Sequence, residues 1–141
     1  MSDKAYYRAI QQLIRTGHWI TDRVGQELKS FDITEPQFNV LRILKGRKGV
    51  PCSVQEIQAE MVQRSSNVTR IIDKLLAKGL VIRQECPTNR RKMDINLTKA
   101  GEALLLELNE KVDAFHAPMG RNLSVEEAET LEKLIKQLKG E

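Results

Sequence analysis

The chain has 141 residues, 40% hydrophobic, 30% charged and 4% aromatic, and its 23 Lys and Arg against 19 Asp and Glu leave a formal net charge of +4. Domains cluster at ~100 to 150 residues, so a single unit over 1–141 is the natural count, and the aliphatic-rich balance excludes a disordered or collagen-like chain. No apolar run approaches the ~20 residues of a membrane helix.

Met1 to Arg8 lacks the apolar core of a secretory leader, so the expected location is the cytoplasm with no membrane partner. Tyr6, Ile10, Leu13, Ile20, Val24 and Leu28 recur at spacings of three and four, which marks an amphipathic helix over about 3–30. Gly17 and Gly25 each cost ~1 kcal/mol inside it, so a bend or break is expected there unless the helix is packed. Unbroken, about 26 residues make a rod of ~40 Å, longer than a small domain. Its apolar stripe then needs a partner chain, which argues for a homodimer.

Three short helices follow. Thr34 with Gln37 forms a capping box ahead of Phe38, Val40, Leu41 and Leu44, with Pro36 tolerated in the first turn. Ser53 with Glu56 forms a second box before Ile57 and Met61, and Gly46 to Pro51 supplies the loop between the two helices. Ser65 begins the third helix, whose apolar face is Val68, Ile71, Ile72, Leu75 and Leu76 and whose stop is Gly79. The period then drops to two, with Leu80 and Ile82 alternating with Val81 and Arg83, and later Met93, Ile95 and Leu97 with Asp94, Asn96 and Thr98. The polar stretch Cys86 to Lys92 between them reads as a hairpin with a basic tip. Thr98 caps a helix striped by Leu104, Leu105, Leu108, Val112 and Phe115 and ending near Pro118. The Ser124 and Glu127 capping box opens a last amphipathic helix with Ala128, Leu131, Leu134, Ile135 and Leu138.

The charge is uneven along this plan. Residues 63 to 92 hold eight basic side chains against Asp73 and Glu85, a local +6 that leaves −2 for the remaining chain. Such a block is the footprint of a surface that meets polyanions, its bland counterpart being a solvated face. Three short helices and a basic hairpin have the order of a winged helix-turn-helix, so the fold class is mostly α with a small β-hairpin wing (α+β). With the apolar face of the third helix inward, Ser66, Arg70, Asp73, Lys74 and Ala77 face outward with Asn67 alongside, a short polar surface suited to a major groove. Ser65, Ser66, Asn67 and Thr69 at its start can donate to phosphates or bases. Arg70 is the candidate base reader, because its planar fork matches guanine O6 and N7, and Asp73 three residues on is placed to hold it. Lys74 continues the face. Arg90, Arg91 and Lys92 are consecutive, and an arginine among them suits the focused negative potential of a narrow minor groove.

Three stretches together resemble the MarR family of bacterial transcription regulators over nearly the whole chain: Ile33-Thr-Glu-Pro-Gln-Phe-Asn-Val-Leu41; Ser66-Asn-Val-Thr-Arg-Ile-Ile-Asp-Lys-Leu75 with Lys78-Gly79-Leu80-Val81; and Asn89-Arg-Arg-Lys-Met-Asp-Ile-Asn-Leu-Thr98 with Lys99-Ala-Gly101. The resemblance implies a winged core over about 33–98, flanked by dimerisation helices over about 3–30 and 99–139. It implies a homodimer on double-stranded DNA, a sequence-specific regulator and most often a repressor at a pseudo-palindromic operator. The family's wing carries an Asp-x-Arg pattern; here Asn89 stands in place of the acid and Arg91 matches the arginine. Family members often answer a small phenolic or other aromatic ligand between the dimerisation helices and the winged domain, a role that would fall to Arg15, His18, Trp19 and Phe38.

No enzyme is expected, since no Gly-rich phosphate loop or acid pair is present and Gly46-Arg-Lys-Gly49 reads as a turn meeting backbone phosphate. Cys52 and Cys86 are too few for a Cys-rich zinc site, Cys86 reads as a plain thiol, and His18 and His116 lie far apart, so neither metal nor cofactor is assigned. The alternative from another class is a winged-helix module that docks a protein through the same basic face.

Overall fold

The computed structural model describes residues 4–63 and 67–141. Helix α1 (Lys4–Lys29) runs unbroken through Gly17 and Gly25, so neither glycine breaks it. Its C-terminal half buries Val24 and Leu28 against the body, whereas Tyr6, Tyr7, Ile10 and Ile14 of its N-terminal half stay exposed. Helix α2 (Glu35–Gly46) starts on the expected reciprocal box: Thr34 Oγ1 accepts the Gln37 N–H, and Gln37 Oε1 accepts the Thr34 N–H at 3.2 Å.

Between the Gly46–Pro51 loop and the next helix, Cys52–Ser53 forms a two-residue strand, β1. Helix α3 (Val54–Glu60) follows at once. Helix α4 (Val68–Ala77) is capped by Asn67, whose Oδ1 accepts the Arg70 N–H at 3.1 Å. The described helix therefore begins three residues after the Ser65 proposed from sequence, which itself lies outside the described residues. It ends where predicted. Gly79 takes φ +72°, its N–H bonds the Leu76 carbonyl, and the Leu80 N–H bonds that of Leu75, a double bond pattern that needs a left-handed residue at Gly79.

Strands β2 (Val81–Cys86) and β3 (Asn89–Leu97) pair antiparallel, and β1 adds to the other edge of β3, giving the order β1-β3-β2. The phase of β2 differs from expectation: Val81 is buried and Ile82 exposed, because Leu80 spends its burial in the turn before the strand. Helix α5 (Lys99–His116) begins on Thr98, whose hydroxyl both accepts the Gly101 N–H and donates to the Gly79 carbonyl at 2.7 Å. A 3-10 turn at Ala117–Arg121 leads into α6 (Val125–Lys139), whose Ser124/Glu127 capping box is fully formed.

The core lies where α2, α4 and α5 meet the sheet. Leu41, Leu44, Ile57, Ile72, Leu75, Ile95, Leu105 and Leu108 are buried together there, joined by Leu28 from α1. Helix α6 buries no residue. The molecule is thus mostly helical with one small three-stranded sheet, and its outermost helices are the least covered parts.

Candidate nucleic-acid interface

Helix α4 turns Val68, Ile72 and Leu75 into the core and half-buries Ile71 and Leu76, as the apolar spacing requires. Thr69, Arg70, Asp73, Lys74 and Ala77 are exposed on the other side. Asn67 is exposed beside them, but its Oδ1 is spent on the cap, so its amide N–H groups are what it can still offer a ligand. Ser66, like Ser65, lies outside the described residues. Asp73 does not hold Arg70. It accepts from Arg83 Nη2 on β2 at 2.7 Å, which fastens the wing to α4 and leaves Arg70 with no ion pair among the described residues. The reason is reach: a hairpin strand packed beside the helix delivers a guanidinium to Asp73 from outside the helix.

The wing also differs from the sequence reading. Its turn is only Pro87-Thr88, and Arg90, Arg91 and Lys92 sit on β3, not at the tip. Glu85 pairs with Met93 while Cys86 pairs with Asn89, so the three basic residues form a bulge with no partners across the ladder. Asn89 Oδ1 accepts the Arg91 N–H at 3.0 Å. The amide that replaces the family's acid therefore shapes the backbone of the bulge. Lys92 at its far end reaches Glu56 on α3 at 3.4 Å.

The described cations of the basic segment, which leave out Arg64, accordingly fall into two sets. Lys78 bonds the Asp32 carbonyl and carboxylate and Gln37 Oε1, Arg83 pairs with Asp73, and Lys92 with Glu56. Arg70, Lys74, Arg90 and Arg91 are exposed and have no ion-pair partner among the described residues. Surface pairs of the first kind are worth ~0 to 1 kcal/mol each, so their effect is to set where the elements lie. The second set is what a polyanion can neutralise. Arg47, in the turn proposed to meet phosphate, is engaged by Glu60 at 2.6 Å and Glu56 at 3.5 Å.

The proposed effector residues are not drawn together. Arg15, His18 and Trp19 are exposed on α1, where the Trp19 ring meets the edge of Phe115 of α5 at 5.5 Å. Phe38 is instead buried in the core, with the Arg42 guanidinium 5.4 Å from its ring centre. Cys52 is buried and Cys86 half-buried, and both are free thiols. Desolvation pushes the Cys52 thiol up to about 11, so it is protonated at neutral pH. No group of three or more metal-ligating side chains occurs among the described residues.

Sequence reasoning missed Glu56, Asp73 in its true pairing, and the backbone role of Asn89. Glu56 had a signal, as the second member of a capping motif, but nothing in that motif shows where the carboxylate turns.

A helix presenting an exposed basic face, with a sheet-borne wing fastened beside it by Arg83 and Asp73, is a winged helix-turn-helix. The MarR family model matches residues 33–93, which span α2 to the middle of β3. A mutant MarR from E. coli complexed with operator DNA is 26% identical, with a TM-score of 0.79 over 97% of this chain and 99% of that one. Wild-type apo MarR from E. coli is 25% identical, with a TM-score of 0.71 over 98% and 97%. The S. aureus MepR–DNA complex is 22% identical and shares the fold, with a TM-score of 0.80 over 95% and 96%. The chain is thus similar to the MarR family of DNA-binding winged-helix transcription regulators, over its winged core by the family model and over nearly its whole length by fold.

Proposed function

We propose that the chain acts as a homodimer that binds a pseudo-palindromic operator, each α4 lying in a major groove and each β3 bulge at the flanking minor groove, and that it represses the genes it covers. The observation that carries this reading is the division of the cations. Among the described residues Arg70, Lys74, Arg90 and Arg91 have no ion-pair partner on α4 and the wing, while Arg83 ties the wing to α4, Lys92 ties it to α3, and Lys78 ties the end of α4 to the segment before α2. Thr69 and the Asn67 amide flank the α4 face, and Ser65 and Ser66 belong to the same proposal by their place in the sequence.

The dimer is supported by apolar surface that has no cover within one protomer: Tyr6, Tyr7, Ile10 and Ile14 on α1, and Leu131, Leu134 and Leu138 on α6. The winged unit is residues 33–98 and the dimerisation helices are the segments on either side. An aromatic effector acting between them has Arg15, His18 and Trp19 as available contacts; Phe38 is committed to the core. Among the described residues no helix is long and apolar enough to cross a membrane, and a DNA target fits a cytoplasmic site of action.

Selection of bound sequences from a random DNA pool tests specificity and geometry together. Two inverted half-sites with centres one helical turn, ~34 to 36 Å, apart are the expected product. A single half-site, or no enriched sequence, would overturn the reading. Repression is then tested by placing the selected site over a promoter, where transcription should fall as protein is added.

A further inference from the structure

Glu56 forgoes the bond its position would ordinarily make. In the Thr34/Gln37 and Ser124/Glu127 boxes the acid or amide accepts the cap N–H, but at α3 only half the box forms: Ser53 Oγ accepts the Glu56 N–H, and the Glu56 carboxylate does not accept the Ser53 backbone N–H. That carboxylate is drawn elsewhere. Its Oε1 accepts from Lys92 Nζ at 3.4 Å, and its Oε2 lies 3.5 Å from Arg47 Nη1 and accepts from Cys52 Sγ at 3.6 Å. Desolvation works against its ionisation, yet hydrogen bonds from Lys92, Ser53 and Cys52 hold the carboxyl below the usual carboxylate range. One charge therefore joins three segments: the turn after α2, the strand β1 and the basic bulge of β3.

The bulge is consequently pinned at both ends. Asn89 fixes its start through the Arg91 N–H, and Lys92 fixes its end on α3. Between the pins stand Arg90 and Arg91, both exposed. Three unpaired residues in a ladder would otherwise sample many paths, and ordering them only on contact would subtract from affinity.

We infer that Glu56, on α3 and not on α4 or the wing, is a positioning residue for DNA recognition: by anchoring Lys92 it sets the path of the bulge and so the direction in which Arg90 and Arg91 are presented. The inference rests on the operator reading above.

The test compares the wild-type dimer with Glu56→Gln, Lys92→Gln and the double variant, titrating each against the selected operator and a random duplex, with a thermal melt of each. Glu56→Gln should keep its fold, and its ratio of operator to random affinity should fall about three- to ten-fold. Its affinity for random DNA should hold or rise, because Arg47 and Lys92 are released from a carboxylate. Lys92→Gln should lower the ratio by the same factor, and the double variant should lose no more than either single one. A merely structural role would instead lower both affinities together with the melting temperature. A ratio unchanged in Glu56→Gln, or losses that add in the double variant, would overturn the proposal. So would an equal loss on both duplexes in Lys92→Gln, since Lys92 would then be a phosphate contact. Failure of the underlying reading looks different: the wild-type chain would enrich no sequence at all.

Discussion

At the scale of single residues, Arg70 and Arg83 are both within one element of Asp73, and the carboxylate goes to Arg83. This matters for reading bases, because an arginine already locked to an acid must break that bond before its fork can meet guanine. Arg70 is free to do so, and as the exposed cation nearest the start of α4 it is the side chain best placed in a major groove. Arg70→Ala should relax preference at one operator position by ~1 to 3 kcal/mol, measured by titrating operators substituted at each position in turn. A uniform loss at every position would make Arg70 a phosphate contact. A second residue carries structure alone. A Cβ on Gly101 would collide with the Leu80 carbonyl oxygen, and backbone cannot yield as a flexible side chain does. Gly101→Ala should therefore lower stability by ~1 to 3 kcal/mol in chemical denaturation, although alanine is the better helix former. A stability equal to or above that of the wild type would show that α5 can shift away from the β2 turn.

At the scale of elements, what was legible in the sequence is what neighbouring residues decide among themselves. The boxes at Thr34/Gln37 and Ser124/Glu127, the apolar face of α4 and the Gly79 stop all depend on spacings within one turn, and each is found as read. Strand β1 was not legible, because two residues have no periodicity and the strand exists only by pairing with Ile95 and Asp94. The bulge was not legible either: Cys86 to Lys92 has the composition of a loop, and only the register of the ladder puts the turn at Pro87-Thr88. Nor was the bond from Arg83 to Asp73, which spans ten positions and two elements. Helix α6 shows the same division. Its capping box, the Glu132–Lys136 pair at 2.6 Å and the left-handed Gly140 are local devices, yet it buries nothing, and a helix of this length is marginal on local terms alone. Its leucine stripe needs an occupant. Leu131→Glu with Leu134→Glu should halve the mass seen by sedimentation while the helical content of the winged core persists. A dimer that survives both substitutions would place the contact elsewhere.

At the scale of the whole molecule, the net charge of +4 hides a polarity: +6 on the segment that builds α4 and the wing, and −2 on everything else, including a tail from Lys99 with nine acidic residues against six basic. A dimer joined through the terminal helices would double the basic face while α5 and α6 carry the net negative charge, which orients the approach to DNA before any base is touched. The free cations make this quantitative. Counting the described residues of α4 and the wing, four per protomer, Arg70, Lys74, Arg90 and Arg91, displace about eight counterions from a dimer, so log affinity against log salt should fall with a slope of about −7 on duplex DNA. A slope of about −3.6 for the wild-type chain would mean that only one protomer engages, and the dimer on its operator would be wrong. Replacing Arg90 and Arg91 by alanine in both protomers separates the wing from the helix. It should bring the slope to about −3.6 without changing the mass of the proposed dimer, because the exposed apolar residues proposed to join the protomers are on α1 and α6, not on β3. An unchanged slope would show that the wing stays clear of DNA and that α4 alone carries the contact.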